Sequence, residues 1–271
     1  MSRIRRNSRL PLFVSIFVMV FLYAPILVLV LYSFNDSRYP GAWNGFTLKW
    51  YRTLLEAHTV EARDIWRATR NTLTVAFSAT LISMVLGTMA AWALYRFRSR
   101  LQKFHQALIY APLVVPDILM GISLLMLFVN LSMKLGLTTI IIAHTTFCIS
   151  YVALVVFGRL QDFDHTLVDA ARDLGANNWN VGRRVLFPLL GPGIIAGGML
   201  AFTLSVDDFV VTFFTSGPGS TTLPVQVYSM MRRGTPTLIN ALSVIFILVT
   251  FSVVIVSQRM IQKRNSTHSR V

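Results

Sequence analysis

Long apolar stretches alternate with short polar ones along the whole chain. Leu10–Asn35, Asn71–Tyr95, Leu135–Gly158, Val185–Val206 and Gly234–Gln258 contain no Asp, Glu, Lys or Arg, and Gln106–Met133 is interrupted only by Asp117. A bilayer crossing needs about 20 mostly apolar residues. The pattern therefore predicts six spans, at about 11–33, 70–95, 105–131, 138–158, 189–212 and 237–258. Little chain is left outside them, and only helices satisfy their own backbone groups segment by segment in lipid. The expected fold is an all-α polytopic membrane protein, with one transmembrane domain over 1–271. The first stretch is too long for a secretory signal and no small-residue cleavage site follows it, so it reads as an uncleaved anchor.

The polar segment 159–188 breaks the pattern in an informative way. Asp162 or Asp164 could cap a helix beginning near His165. Leu167, Val168, Ala170, Ala171 and Leu174 then share one apolar face at helical spacing. Gly175 supplies the left-handed cap that ends such a helix. Asn177 or Asn178 could cap a second helix running through Trp179 and Val185 and ending near Pro188. A short exposed helix with an apolar, small-residue face needs a partner. A helix lying on lipid would favour bulky apolar anchors and basic residues, whereas this one offers alanines with Asp169 and Asp173. It reads as a helix docked on another protein.

Composition and charge add orientation. Charged residues make up 13% of the chain and apolar ones 54%, which suits a membrane protein better than a soluble domain. The net charge of +14 could suggest nucleic acid, but the excess sits in short flanks of spans. Arg3, Arg5, Arg6 and Arg9 precede the first span. Arg96, Arg98, Arg100 and Lys103 follow the second, and Arg159, Arg172, Arg183 and Arg184 follow the fourth. Arg259, Lys263, Arg264 and Arg270 follow the last. By the positive-inside rule these segments are cytoplasmic, and so are both termini and segment 159–188. Loops 34–70 and 213–236 face the other side. The single cysteine, Cys148, lies inside the fourth span and reads as packing.

Three carboxylates lie within the apolar segments: Asp117, directly after Pro116, and the adjacent pair Asp207 and Asp208. A carboxylate costs at least about 2.5 kcal/mol at the centre of a lipid-embedded helix, so each calls for a function or a partner. These spans hold no Lys or Arg, which favours a cationic ligand. Tyr110, Phe202, Phe209, Phe213, Phe214 and Tyr228 could contact its methylenes or its amines. The structural readings are that Asp117 caps a helix broken at Pro116 and that Asp208 pairs with a partner subunit. Pro112, Pro116, Pro188 and Pro192 interrupt or open the third and fifth spans, and broken helices are typical of transporter cavities. His144, alone in the fourth span, reads as a hydrogen-bonded packing residue.

In segment 159–188, Asp169-Ala170-Ala171 is followed after three residues by Gly175. Nine residues further on come Val185, Leu186, Phe187 and Pro188. This spacing resembles the "EAA" loop of ABC importer permeases, with Asp169 at the usual Glu, Val185 at the usual Ile and Phe187 at the usual Leu. In that family a short coupling helix docks on the ATP-hydrolysing subunit, which implies an ATPase-coupling role for Asp169, Ala170, Ala171, Leu174, Gly175 and Pro188. Further strings are similar to the permeases of spermidine/putrescine importers: Tyr23-Ala24-Pro25, Tyr32-Ser33-Phe34-Asn35, Trp50-Tyr51, Ala111-Pro112 with Pro116-Asp117, Ala143 to Cys148, Phe202 to Asp208, and Ser216-Gly217-Pro218. The resemblance runs from about residue 10 to 260. It implies a type I (MetI-like) importer in the bacterial inner membrane, built from two related permeases, two copies of an ATPase and a periplasmic polyamine-binding protein. ATP and Mg would belong to the ATPase, and this chain would bind no cofactor. Asp207, Asp208, Asp117, Tyr110, Phe202, Phe213 and Tyr228 are the expected substrate-path residues.

The chain carries no Gly-x-x-x-x-Gly-Lys-Ser/Thr and no Cys/His cluster at metal-ligand spacing. Two alternatives remain: a permease for another small organic cation, or an intramembrane enzyme using Asp207 and Asp208. An aspartyl protease needs carboxylates that share a proton, usually from different segments. Adjacent acids fit that poorly.

Overall fold

The structure is a computed structural model and describes residues 9–37, 42–96, 100–161, 166–234 and 236–268. Asp162, Asp164 and His165, where the helix cap was expected, lie outside the described residues. The described chain is helical, apart from one antiparallel bridge between Asn35 and Phe46. It divides into two compact units, 1–63 with 227–271, and 64–226.

In the first unit, α1 (Arg9–Tyr32) and α12 (Pro236–His268) pack together, and α2 (Lys49–Glu56) packs on α12. The chain after α1 folds on itself. Asn35 is buried: its Nδ2 donates to the Ala42 carbonyl at 2.7 Å, its Oδ1 accepts from Asn44 N at 2.9 Å, and its carbonyl accepts from Trp50 Nε1 at 2.8 Å. Thr237 Oγ1 donates to the Ser37 carbonyl at 2.6 Å and ties this loop to the start of α12. The apolar side chains of α1 are mostly exposed within the chain, as lipid or another membrane subunit requires.

The second unit is built around α6 (Leu137–Gln161), which packs against α4 (Gln102–Val114), α9 (Phe187–Asp207) and α10 (Val210–Thr215). Glycines let these helices approach. A methyl added at Gly87 of α3 (Val60–Arg96) would lie 2.8 Å from Val152 Cβ, and one at Gly197 of α9 would lie 3.2 Å from Val152 Cα. Val152 is thus pinched between α3 and α9. Close backbone approach of this kind drives helix association where lipid removes the hydrophobic drive. Ala143, Phe147, Cys148, Ala153, Val156, Leu190, Ile194 and Ala201 belong to the same core. Cys148 is buried in it, as expected for packing.

Among the described residues, four helical segments are long and apolar enough to cross a membrane: Leu10–Tyr32, Val60–Arg96, Leu137–Gln161 and Trp179–Asp207. The third expected span is not one rod. It is α4 followed by α5 (Asp117–Asn130), bent by 108°, a fifth candidate if the pair counts as one crossing. Pro116 cannot donate a backbone hydrogen bond and pushes the residue before it out of the helical region. Val115 is accordingly extended, at φ −69° and ψ 129°. The sixth expected span, 237–258, falls within α12, which is one continuous helix of 33 residues.

Candidate functional site

Two places in the second unit carry the candidate chemistry. The first is the coupling segment. α7 (Thr166–Asp173) ends as its glycine demands: Gly175 has φ +80°, its N–H donates to the Arg172 carbonyl at 2.8 Å, and Ala176 N–H reaches back to Ala171 at 3.0 Å. This double reverse bond satisfies the last carbonyls of the helix. Of the two candidate caps for the next helix, Asn177 is the one used, its Oδ1 accepting from Asn180 N at 2.9 Å. That helix, α8 (Asn178–Val181), does not end near Pro188 as expected. It passes through a π-helical turn, Gly182–Leu186, directly into α9. Pro188 lacks the N–H that an α-helical ladder needs at that point, and the wider turn ahead of it absorbs the mismatch.

No residue of α7 is buried. Leu174 is 89% exposed and Trp179 73%. Asp169, Ala170 and Gly175 are exposed and Ala171 is partly so. The apolar face predicted from spacing is therefore present and uncovered by the chain's own residues.

The second place is a break in the fifth expected span. α9 stops at Asp207, Asp208 is extended at φ −63° and ψ 125°, and α10 starts two residues later. The expectation of one continuous span over 189–212 is corrected here. The cause is Asp208 itself. Its two oxygens accept the N–H groups of Val211 at 3.3 Å and Thr212 at 2.8 Å, and Thr212 Oγ1 donates to Oδ2 at 2.8 Å. A short polar side chain that satisfies the first N–H groups of α10 makes a new helix start more favourable than continuing the old one.

His144 of α6 completes the network. It is fully buried, with Nδ1 2.7 Å from Ser205 Oγ and Nε2 2.8 Å from Thr212 Oγ1 and 3.2 Å from Asp208 Oδ2. Its ring lies 5.2 Å from that of Phe147. Asp208 is left only 10% exposed, whereas neighbouring Asp207 is exposed. Asp117 is also exposed, as the first residue of α5. The N-cap position is Pro116, which makes no side-chain cap bond, and an acid in the first turn favours the helix dipole. The first turns of α5 pack closely on α10: a methyl added at Gly121 would meet the Phe214 ring at 2.7 Å and Val211 Cα at 3.4 Å. The helix that begins at Asp117 thus lies against the helix that Asp208 caps.

The aromatic candidates are dispersed. Phe213 is half exposed, with ring centroids 5.6 Å from Phe209 and 5.5 Å from Phe214. Phe202 meets Phe77 edge-on at 6.4 Å. The Tyr110 hydroxyl is buried without a hydrogen-bond partner. Tyr228, on α11 (Leu223–Arg232), belongs to the first unit, where the Arg232 guanidinium lies 5.9 Å from its ring centre. The sequence marks His144 as a hydrogen-bonded residue but does not give its partners. Ser205 and Thr212 flank the acid pair, and hydroxyls on both sides of an intramembrane acid were the available signal.

The arrangement is that of a membrane transport subunit: broken helices inside the bundle and an uncovered short helix between two long ones. The chain belongs to the family of binding-protein-dependent transport system inner membrane components, which matches residues 83–266. It is a multi-pass inner-membrane permease subunit, and such subunits are not themselves catalytic. It is 40% identical over 242 residues to the spermidine/putrescine transport system permease protein PotC of Escherichia coli (strain K12), covering 89% of each chain. It is 44% identical over 234 residues to the putrescine transport system permease protein PotI of the same strain, covering 84% of this chain and 82% of that one. Its fold is similar to that of a chain in the crystal structure of a bacterial ABC transporter involved in the import of the acidic polysaccharide alginate. The TM-score is 0.71 at 16% identity, covering 96% of this chain and 99% of the other. At that identity the likeness is one of fold.

Proposed function

We propose that this chain forms the polyamine path of an ATP-driven type I importer carrying spermidine, putrescine or both. The observation that carries this reading is the identity to PotC and PotI over most of the chain. Fold alone does not choose the cargo, since a similarly folded chain belongs to an alginate importer. The chemistry of the break agrees with a polyamine: Asp207 and Asp117 offer exposed carboxylates in segments without Lys or Arg. Phe213 presents apolar surface nearby in sequence, and Phe202, Tyr110, Tyr228 and Asp208 remain in the proposed path or its walls.

The chain makes six crossings in this reading, with α4 and α5 together as the third and α12 as the last. Both termini and the α7–α8 segment are cytoplasmic. It pairs with a second related permease, and two copies of an ATPase hold ATP and Mg. A periplasmic binding protein delivers the cargo. Asp169, Ala170, Ala171, Leu174, Gly175 and Pro188 form the ATPase-coupling element. The test is ATP-dependent uptake of labelled spermidine and putrescine by the chain reconstituted with these partners. Asp207→Asn is expected to raise the apparent KM about tenfold, because a charged hydrogen bond contributes roughly 1.5–3 kcal/mol. Uptake of neither polyamine by the complete complex would refute the cargo assignment.

A further inference from the structure

The two adjacent acids sit in different surroundings, and one histidine accounts for the difference. We infer that His144 is a positioning residue that locks Asp208 into the protein, so that Asp207 alone at this break presents its charge to the transported cation. This rests on the polyamine reading for the nature of the cation, though not for the geometry.

The argument starts from donors and acceptors. Thr212 Oγ1 donates to Asp208 Oδ2, so towards His144 it offers a lone pair. Both groups facing His144 Nε2 are therefore acceptors, and Nε2 carries the proton. On the other side of the ring Nδ1 meets the Ser205 hydroxyl, which can donate or accept. The result is a set of converging donors, His144 to Thr212 and Asp208 and Thr212 to Asp208, with Ser205 holding the far side of the ring. Its members stand on the last turn of α9, on the break, on α10 and on the neighbouring α6. A single buried ring thus holds both ends of the broken helix to a third helix. With four donors converging on it, the Asp208 carboxylate has little capacity left for a ligand. A satisfied buried carboxylate turned inward leaves the preceding residue, at the last position of α9, turned outward, and Asp207 is exposed.

The ring's two nitrogens can be removed separately. Glutamine can place a donor near the Nε2 position, and asparagine can mimic only Nδ1. If His144 acts through Asp208, His144→Gln should keep the break in place, whereas His144→Asn and His144→Leu should release it. The geometric readout uses the assembled complex carrying Asp207→Cys, in a Cys148→Ala background. The rate of reaction with a small cationic thiol reagent is measured in each His144 background. Rapid labelling with His144 is expected, with Gln within about twofold of it and Asn and Leu changed at least fivefold. Failure of the introduced thiol to react, or equal rates in all four backgrounds, overturns the inference. The functional readout separates the acids. Asp207→Asn should raise the KM for spermidine or putrescine. Asp208→Asn, His144→Asn and His144→Leu should lower the maximal rate about tenfold at unchanged KM, with His144→Gln restoring most of it. A raised KM for Asp208→Asn with no change for Asp207→Asn would reverse the roles assigned here. If the labelling pattern holds while even the parent complex moves neither polyamine, the cargo reading fails and the positioning role stands.

Discussion

The coupling segment and the broken span sit in the same unit and obey opposite rules. In the coupling segment every controlling interaction is local. Gly175 caps α7 and Asn177 caps α8 through bonds spanning at most five residues, while no residue of α7 is buried. At the break Asp208 caps α10 locally, but the bonds that tie it into the bundle run from His144 to Ser205 and Thr212, more than sixty residues away, and that network faces inward. A segment that must be read by another protein keeps its own shape and leaves its surface free. A segment that must hold charge in a membrane surrenders its shape to neighbouring helices, because an unsatisfied polar group there is costly.

This contrast can be pressed experimentally. The largest effect is expected at Gly197, which faces Val152 across the α6–α9 seam. A side chain at Gly197 meets backbone that cannot yield, at 3.2 Å from Val152 Cα. Gly197→Leu should therefore reduce the amount of protein in the membrane severely, since overpacking costs about 1–3 kcal/mol or more. Normal abundance and a normal melting temperature would show that the seam is looser than described.

Gly175 is the opposite case. A methyl there meets nothing within 4 Å, so its only intrinsic cost is the φ of +80°, roughly 1 kcal/mol for a residue with a side chain. Gly175→Ala should leave abundance intact and lower uptake only a few-fold. Gly175→Arg adds bulk and charge beside Leu174 at an exposed tip. It should lower ATPase co-purification and uptake about tenfold, again at normal abundance. If both variants instead lose abundance in parallel, the tip is packed within the protein rather than presented to a partner.

The smallest effect on activity should come from cysteines used only as reporters. Leu55 and Leu174 are both highly exposed, at 71% and 89%. In intact cells Leu55→Cys should react with an impermeant thiol reagent and Leu174→Cys only after permeabilisation. The reverse pattern would place the coupling segment on the wrong side of the membrane for an ATPase.

Much of this protein is legible residue by residue. Uncharged runs mark the membrane segments, and their basic flanks argue the orientation. The cap at Gly175 and the face from Leu167 to Leu174 follow from spacing, because a helix stop and an amphipathic stripe are properties of neighbouring residues. Pro116 announced a break and the structure places one at Val115. Pro188 announced an end that is absent, because a π-helical turn lets the helix continue past it.

The fate of Asp207 and Asp208 could not be read in the same way. They are the same residue type, one position apart, and no local rule separates them. Their separation depends on His144 arriving from α6 and on Thr212 folding back over the break. Thr212, four residues on, supplies part of what satisfies Asp208, but its last donor comes from His144 on a helix distant in sequence. Apolar length and helix caps are written in adjacent residues, whereas the solvation of a charge depends on everything packed around it.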